Sequence, residues 1–325
     1  REKNNQLIFS MSIFEKVKEL RDITGAGMQD CKVALSENNE DIDLAIEYLR
    51  KKGIAKAAKK SDRGATEGLI TLYSAGSKSA IVEINSETDF VAKNPEFNSF
   101  CEKIAELCID SKDINDLKEK KFDDNETASS ALVNLIAKIG ENIKIRRFET
   151  IDLGCDVASY IHNKQSDHSG KLGVLLAYES THDKTAKSSV GFVVPSSELA
   201  KDFANKLCMH IAASSPLSLN EAGISQAFLE SEKNIMKEQL LNEGKKPEMI
   251  EKIIAGKVSK IIKDNTLLGQ KWVMNPETTV YAAIREFEQE TNSSFVVKHF
   301  VRYKVGEGIE SKKADFAEEV KSLTK

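Results

Sequence analysis

Residues 68–91 read GLITLYSAGSKSAIVEINSETDFV, and this stretch decides the fold class. Leu69-Ile70-Thr71-Leu72-Tyr73 predicts a strand, Ala75-Gly76-Ser77 a turn, and Ser79 to Asn85 a second strand, β-branched and largely apolar. After Glu87 to Val91 the period changes. From about Pro95 a helix is expected, with Phe97, Phe100, Ile104 and Leu107 on one face. Beyond a charged stretch (111–125), Leu132, Leu135, Ile136 and Ile139 mark another helix, stopped by Gly140-Glu141-Asn142. Ile143, Ile145 and Phe148 then form a third strand. Strands and helices in segregated runs joined by hairpins mean an α+β layer with antiparallel sheets, not a doubly wound sheet.

Upstream the pattern is wholly helical. Ile13, Val17 and Leu20 share one stripe, and Thr24-Gly25-Ala26-Gly27 breaks it. Met28, Cys31, Ala34 and Leu35 share the next, and Asp41 can cap a third helix carrying Ile42, Ala45, Ile46 and Leu49. Residues 12–53 therefore read as a small three-helix bundle. Residues 54–67 read as a basic linker; the lysine-rich run KKGIAKAAKKSDR (51–63) lacks the interleaved aromatics of a nucleic-acid platform and is read as a solvated connector. Residues 1–11 read as a disordered extension without the layout of an export signal.

Downstream of the first core subdomain (68–150), a second one is expected to begin over 151–225. Its strands are Val157–Ile161 and Leu172–Tyr178. Its helix, Glu198–Ala213, repeats the Phe-x-x-Lys rhythm of the helix after Pro95, a weak sign of duplication. Phe228, Ile235 and Leu240 line one helix, and Ile250, Ile254, Val258 and Ile261 another. Gly244 and Pro247 sit between them, so 226–264 predicts an antiparallel coiled-coil hairpin that either projects or packs against a second copy. Residues 265–304 return to the core with a helix near Ala282–Gln289 and a strand from Phe295. Residues 305–325 form a C-terminal module, a turn at Gly306-Glu307-Gly308 and an amphipathic helix from Asp315.

Composition narrows the function. Across 325 residues, 47 basic side chains face 51 acidic ones, a net charge of −4. That balance sets nucleic acid aside as the main partner. No run approaches eighteen apolar residues, so no membrane span is expected. Cys31, Cys101, Cys108, Cys155 and Cys208 form no CxxC pair and read as buried reduced thiols of a cytosolic protein. His162, His168, His182, His210 and His299 make no HExxH; His210, on an apolar helix, reads as a satisfied, partly buried imidazole. Glu83, Glu87 and Asp89 suggest a carboxylate metal set only superficially, and read more simply as a solvent face plus a helix cap. There is no Walker phosphate cradle, and no nucleophile stands beside a base. No enzyme, metal or cofactor is expected.

Four segments go further. Leu20-Arg21-Asp22-Ile23-Thr24-Gly25-Ala26-Gly27-Met28-Gln29-Asp30-Cys31-Lys32 closely resembles the first signature of the elongation factor Ts family, and Glu87-Thr88-Asp89-Phe90-Val91-Ala92-Lys93 its second. Lys138 to Ile143 and Val305 to Glu310 are similar to further collinear pieces of the bacterial form. The resemblance runs from about Ile13 to the C-terminus. It implies a cytoplasmic guanine-nucleotide exchange factor for elongation factor Tu in translation. It also implies a ubiquitin-associated-like N-terminal bundle, a two-part core, a coiled-coil hairpin and a C-terminal module, whose presence favours a bacterial over a mitochondrial protein. Carried over, Thr88, Asp89, Phe90 and Val91 match the segment that disturbs the Mg²⁺ site of the GTPase. In this reading Phe90 is a stiff apolar wedge, and Asp89 caps the following turn or bonds the displaced segment. Met28, Ile139, Gly140 and His210 match further contact positions. Glu179–Pro195 departs from the family by its length, with Val190–Val194 as an added strand.

The rival readings are a ubiquitin-type or peptide-binding adaptor built on the bundle, and an RNA-binding adaptor built on 51–63 and the hairpin. Neither would accelerate nucleotide release.

Overall fold

A computed structural model of the chain describes residues 12–24, 26–182, 186–187, 193–194 and 196–309. The expected extension at 1–11 and the helix from Asp315 lie outside the described residues. Two units are distinguished: one gathers the described residues up to Leu69, Val82–Phe148 and those from Val305; the other gathers Ile70–Ile81 and Glu149–Lys304.

The first unit opens with α1 (Ile13–Thr24), α2 (Met28–Glu37) and α3 (Ile42–Lys60). Ser12 and Glu15 form a capping box: the Ser12 N–H donates to the Glu15 carboxylate at 2.8 Å and the Glu15 N–H donates back to Ser12 Oγ at 3.3 Å. Asp41 caps α3 by accepting the Leu44 N–H at 2.9 Å. Val17, Leu20, Cys31, Ala34, Leu35 and Ala45 make the buried core of the bundle. Each of the two leucines contributes about 2 kcal/mol by leaving water.

The lysine-rich run is not a loop. Helix α3 continues to Lys60, because lysine and alanine are strong helix formers and because the helix has a face to bury. Gly53 is buried, and a Cβ there would lie 3.6 Å from Val133 and 3.8 Å from Ala137. Arg50 donates to Ser130 Oγ at 2.8 Å. Four of the lysines have protein acceptors: Lys51 pairs with Glu47 at 2.8 Å, Lys52 and Lys56 with Asp30 at 3.0 and 2.9 Å, and Lys60 with the Gly140 carbonyl. The Lys56 and Lys52 ammonium groups hold the Asp30 carboxyl below its ordinary range.

There follow β1 (Glu67–Ala75), β2 (Lys78–Ser86), α4 (Pro95–Cys108), α5 (Ile114–Glu119), α6 (Ala128–Ile139) and β3 (Lys144–Ile151), with β2 between β1 and β3. Phe97, Phe100, Ile104 and Leu117 are buried, and Phe100 stacks on Phe122 at 5.5 Å between ring centroids.

Strand β2 is buried along nearly its whole length, which corrects the reading of Glu83 as part of a solvent face. Glu83 is fully buried. Its oxygens accept from Arg146 Nη1 at 2.9 Å, Arg147 Nε at 2.6 Å, Asn85 Nδ2 at 3.1 Å and the Gly306 N–H at 2.8 Å. A buried carboxylate is tolerable only with its charge and lone pairs answered in this way. Arg146 also donates to the Glu307 carbonyl at 2.7 Å. The turn at 306–308 is thus tied to the first unit. Gly306 is required there: its φ is +73°, and a Cβ would lie 2.4 Å from the Thr66 carbonyl oxygen.

The second unit contains β4 (Asp156–Lys164), β5 (Ser169–His182), β6 (Ala186–Lys187), β7 (Val193–Val194), α7 (Ser196–Ser214), α8 (Gln226–Asn242), α9 (Pro247–Asn265), β8 (Lys271–Trp272), β9 (Asn275–Thr279), α10 (Val280–Thr291) and β10 (Ser293–Lys304). The long β5 pairs antiparallel with β4 and with β10, and its start pairs with β1 at Ile70↔Gly170. Strands β6 and β7 pair with one another, so Val193–Val194 are extended as the sequence suggested; Val190–Phe192 lie outside the described residues. Phe203 stacks on Phe287 at 4.5 Å and meets Phe295 edge-on at 5.1 Å, joining Leu176, Leu207, Ile211 and Trp272 in one core. Helices α8 and α9 pack on one another, but Ile235, expected on the buried stripe of α8, is 48% exposed. Leu229, Met236 and Leu240 of α8 are buried along with Ile250 of α9. Among the described residues, no helix is long and apolar enough to cross a membrane. The five cysteines are free thiols; Cys155 is half-buried and the other four are buried.

Candidate partner-binding site

Residues 87–94 join the end of β2 to α4, and hydrogen bonds brace them at both ends. Ser86 Oγ donates to the Thr88 carbonyl at 2.9 Å. The Thr88 N–H and hydroxyl donate to the two oxygens of Glu141 at 2.9 and 2.7 Å. Past a short 3₁₀ turn at Val91–Lys93, the Asn94 side chain caps α4 by accepting the Glu96 and Phe97 N–H groups at 2.8 and 3.3 Å. The cap is therefore Asn94 and not Asp89. Asp89 is exposed, and Glu87 turns to Asn142 instead. Glu83, Glu87 and Asp89 do not converge; no group of three possible metal-ligating side chains occurs among the described residues.

The quartet Thr88–Val91 divides by direction. Val91 is 5% exposed and anchors the turn, Thr88 is half-buried and clamped, and Asp89 and Phe90 face water. Phe90 is 75% exposed. A large ring left in water on a backbone with so little freedom is a surface set out for contact.

The other candidates fall in two places. Ile139 and Gly140 are half-buried at the end of α6, where Gly140 takes the left-handed cap conformation at φ +87°. They stand directly before Glu141, so the structure brings them beside the Thr88 junction. Met28, 45% exposed at the start of α2, lines with Ile23 and Lys138 a cleft of about 720 Å³ in the same unit.

His210 lies in the other unit and is fully buried. Its Nε2 bonds Gln270 Oε1 at 3.0 Å, and its Nδ1 accepts the Val273 N–H at 3.3 Å. Gln270 has its amide fixed by the Ser214 and Asp264 carbonyls, at 3.1 and 2.9 Å. Nδ1 is therefore the acceptor and Nε2 carries the proton. This knot ties the end of α7 to the end of α9, and a buried imidazole reaches a partner only through what it holds in place.

Burial pushes the His210 pKa below the ordinary 6.5 against a smaller opposing effect of Gln270, while the hydrogen bond to Glu149 raises that of His299. The signs are opposite. The contribution of His210 is complete above pH 6.5 and is lost as pH falls toward its lowered folded value. That of His299 is complete below pH 6.5 and is lost as pH rises through its raised value. Ring-proton NMR titration is expected to find His210 titrating below His299; the reverse order would contradict the burial argument.

Sequence reading missed Glu141 and Glu83. Glu141 was visible only as part of a helix stop, and its partner Thr88 lies 53 residues away. Only the adjacency of two short polar motifs at element ends could have hinted at the pairing.

The braced junction presents an aromatic ring to water, and Ile23 and Met28 are exposed in the same unit. The chain belongs to the elongation factor Ts family. The family model described as Elongation factor TS matches residues 87–307. Elongation factor Ts of Bartonella bacilliformis is 41% identical over 313 residues, covering 95% of this chain and 98% of its own. That of Caulobacter vibrioides is 42% identical, covering 95% and 96%, and that of Clostridium perfringens 43%, covering 94% and 97%.

Proposed function

We propose that the protein is a guanine-nucleotide exchange factor acting in the cytoplasm during translation elongation. It binds the GDP-loaded form of elongation factor Tu, disturbs the Mg²⁺ site and promotes GDP release so that GTP can bind. The observation that carries this reading is the exposed Phe90 ring on its clamped junction. A GTPase retains GDP partly through a Mg²⁺ ion held by phosphate oxygens, side chains and waters. Dislodging that ion calls for no acid, base or nucleophile. It calls for a rigid apolar object that repacks the residues supporting the ion, and no covalent bond is made or broken by the factor.

The scale follows from arithmetic. Accelerating release about ten-thousand-fold corresponds to about 5.5 kcal/mol of differential stabilisation. One aromatic contact supplies less than half of that, so a broad interface must provide the rest. Asp89, exposed beside the ring, is suited to bond the displaced segment; Met28, Ile139 and Gly140 supply docking contacts. His210 contributes indirectly, by fixing the base of the α8–α9 hairpin. Reciprocity requires that nucleotide weaken the factor's equilibrium binding as much as the factor weakens the nucleotide's, so GTP entry expels the factor.

The test is stopped-flow release of fluorescent GDP from elongation factor Tu on mixing with the full-length chain. Strong, saturable acceleration is expected. Release at the spontaneous rate at every concentration of the chain would end this reading.

A further inference from the structure

The Phe90 ring is 75% exposed, so its direction depends chiefly on the backbone beneath it. Two carboxylates fix that backbone, each reaching across to the segment that carries the other. Glu141 accepts the N–H and hydroxyl of Thr88 at 2.9 and 2.7 Å, and Glu87 accepts the N–H of Asn142 at 2.6 Å. Residues 87–88 and 141–142 are thus joined by an exchange of backbone N–H groups onto side-chain oxygens, as in a capping box closed between distant segments.

The second half of this clasp is itself tied down. Asn142 is buried and donates from Nδ2 to the Ser61 carbonyl at 3.3 Å and the Arg63 carbonyl at 2.6 Å. Glu87 also faces Arg63 Nη1 at 3.6 Å. The chain beneath the wedge is therefore referred to the rigid end of α3 and the cap of α6, not left as a free loop.

We propose that Glu141 is a positioning residue for nucleotide exchange: by clasping Thr88 it holds Phe90 in the attitude that enters the GTPase, and it does so without touching the partner's Mg²⁺ site. This rests on the exchange reading above. Loss of the clasp leaves the ring present and the broad interface intact, but the ring must be ordered anew in every encounter. The deficit then appears in the maximal release rate and not in the concentration needed to reach half of it.

Glutamine is the informative comparison. Its carbonyl oxygen can accept the Thr88 N–H while its amide donates to the Thr88 hydroxyl, so both bonds survive without charge. Alanine keeps neither.

The experiment measures GDP release from elongation factor Tu over a full titration of the full-length chain. Wild type, Glu141→Ala, Glu141→Gln, Thr88→Val and the Thr88→Val/Glu141→Ala double variant are compared, with a melting curve for each. Glu141→Ala is expected to lower the maximal rate about tenfold with half-saturation within about twofold of wild type, and Glu141→Gln to recover most of the loss. The double variant is expected to be no worse than Glu141→Ala alone, since both act through one contact. A purely structural role would lower the melting point and raise half-saturation, because it removes folded factor; that result overturns the proposal. So does a Glu141→Ala chain with wild-type maximal rate, or strict additivity in the double variant. Should Glu141→Ala fail to fold, Glu141→Leu, which keeps the bulk but accepts neither Thr88 bond, takes its place, and a wild-type maximal rate there overturns it. A wild type that accelerates nothing refutes the exchange reading instead, so the two failures are distinct.

Discussion

Glu83→Ala is expected to lower the thermal midpoint by roughly 10 °C. The carboxylate is fully buried, and both of its oxygens are used by Arg146, Arg147, Asn85 and the Gly306 N–H. Removing it takes from Arg146 and Arg147 the buried carboxylate that both bond. Breaking a buried pair by deleting one partner costs about 3–5 kcal/mol. The arginine side chains keep 25% and 32% of their exposure, so the lower end, about 3 kcal/mol, applies. For a unit of this size that corresponds to the stated shift. The loss is local before it is global. The turn at 306–308 is held by the Gly306 N–H and by Arg146 on the Glu307 carbonyl, so the Gly306 amide is expected to lose hydrogen-exchange protection first. An unchanged midpoint with Gly306 still protected would mean that the arginines find other partners and that Glu83 is dispensable.

The second large effect is on function. Phe90→Ala is expected to slow factor-dependent GDP release about 100-fold while the melting curve stays within about 1 °C of wild type. Full burial of a phenylalanine against a partner contributes about 2.5 kcal/mol, close to two decades of rate. The fold has little stake in the ring, because at 75% exposure it buries almost nothing in the free chain. The contrast between a large kinetic loss and an intact fold is what separates a wedge from a core residue. A Phe90→Ala chain that melts early would make the ring part of the fold; one that releases GDP at the wild-type rate would move the wedge elsewhere.

How much of this was legible in the sequence depends on the range over which the cause acts. Helices such as α4, α6 and α10 and the strands β1, β2 and β5 announce themselves through local period, and the structure places them where that period says. The helical run to Lys60 was hidden because the residue it buries is Gly53, with lysines folding back to Asp30 and Gly140. Such a face carries no hydrophobic stripe. Glu83 was misread because a charge in a strand ordinarily faces water, and nothing local reveals two arginines more than sixty residues away. His210 was legible as a satisfied imidazole from its apolar helix; its lock on Gln270 was not. Phe90 became conspicuous through family resemblance, whereas its exposure and its clasp by Glu141 are properties of the folded chain alone.

The most direct measurement of the central claim compares release of fluorescent GDP from elongation factor Tu, with and without saturating factor, in buffer containing Mg²⁺ and in buffer stripped of it by a chelator. If the wedge works on the ion, removing Mg²⁺ accelerates spontaneous release and leaves the factor less to do, so its fold-acceleration is expected to shrink at least about tenfold, the equivalent of 1.4 kcal/mol. The same fold-acceleration in both buffers would show that the ion is not what the ring displaces.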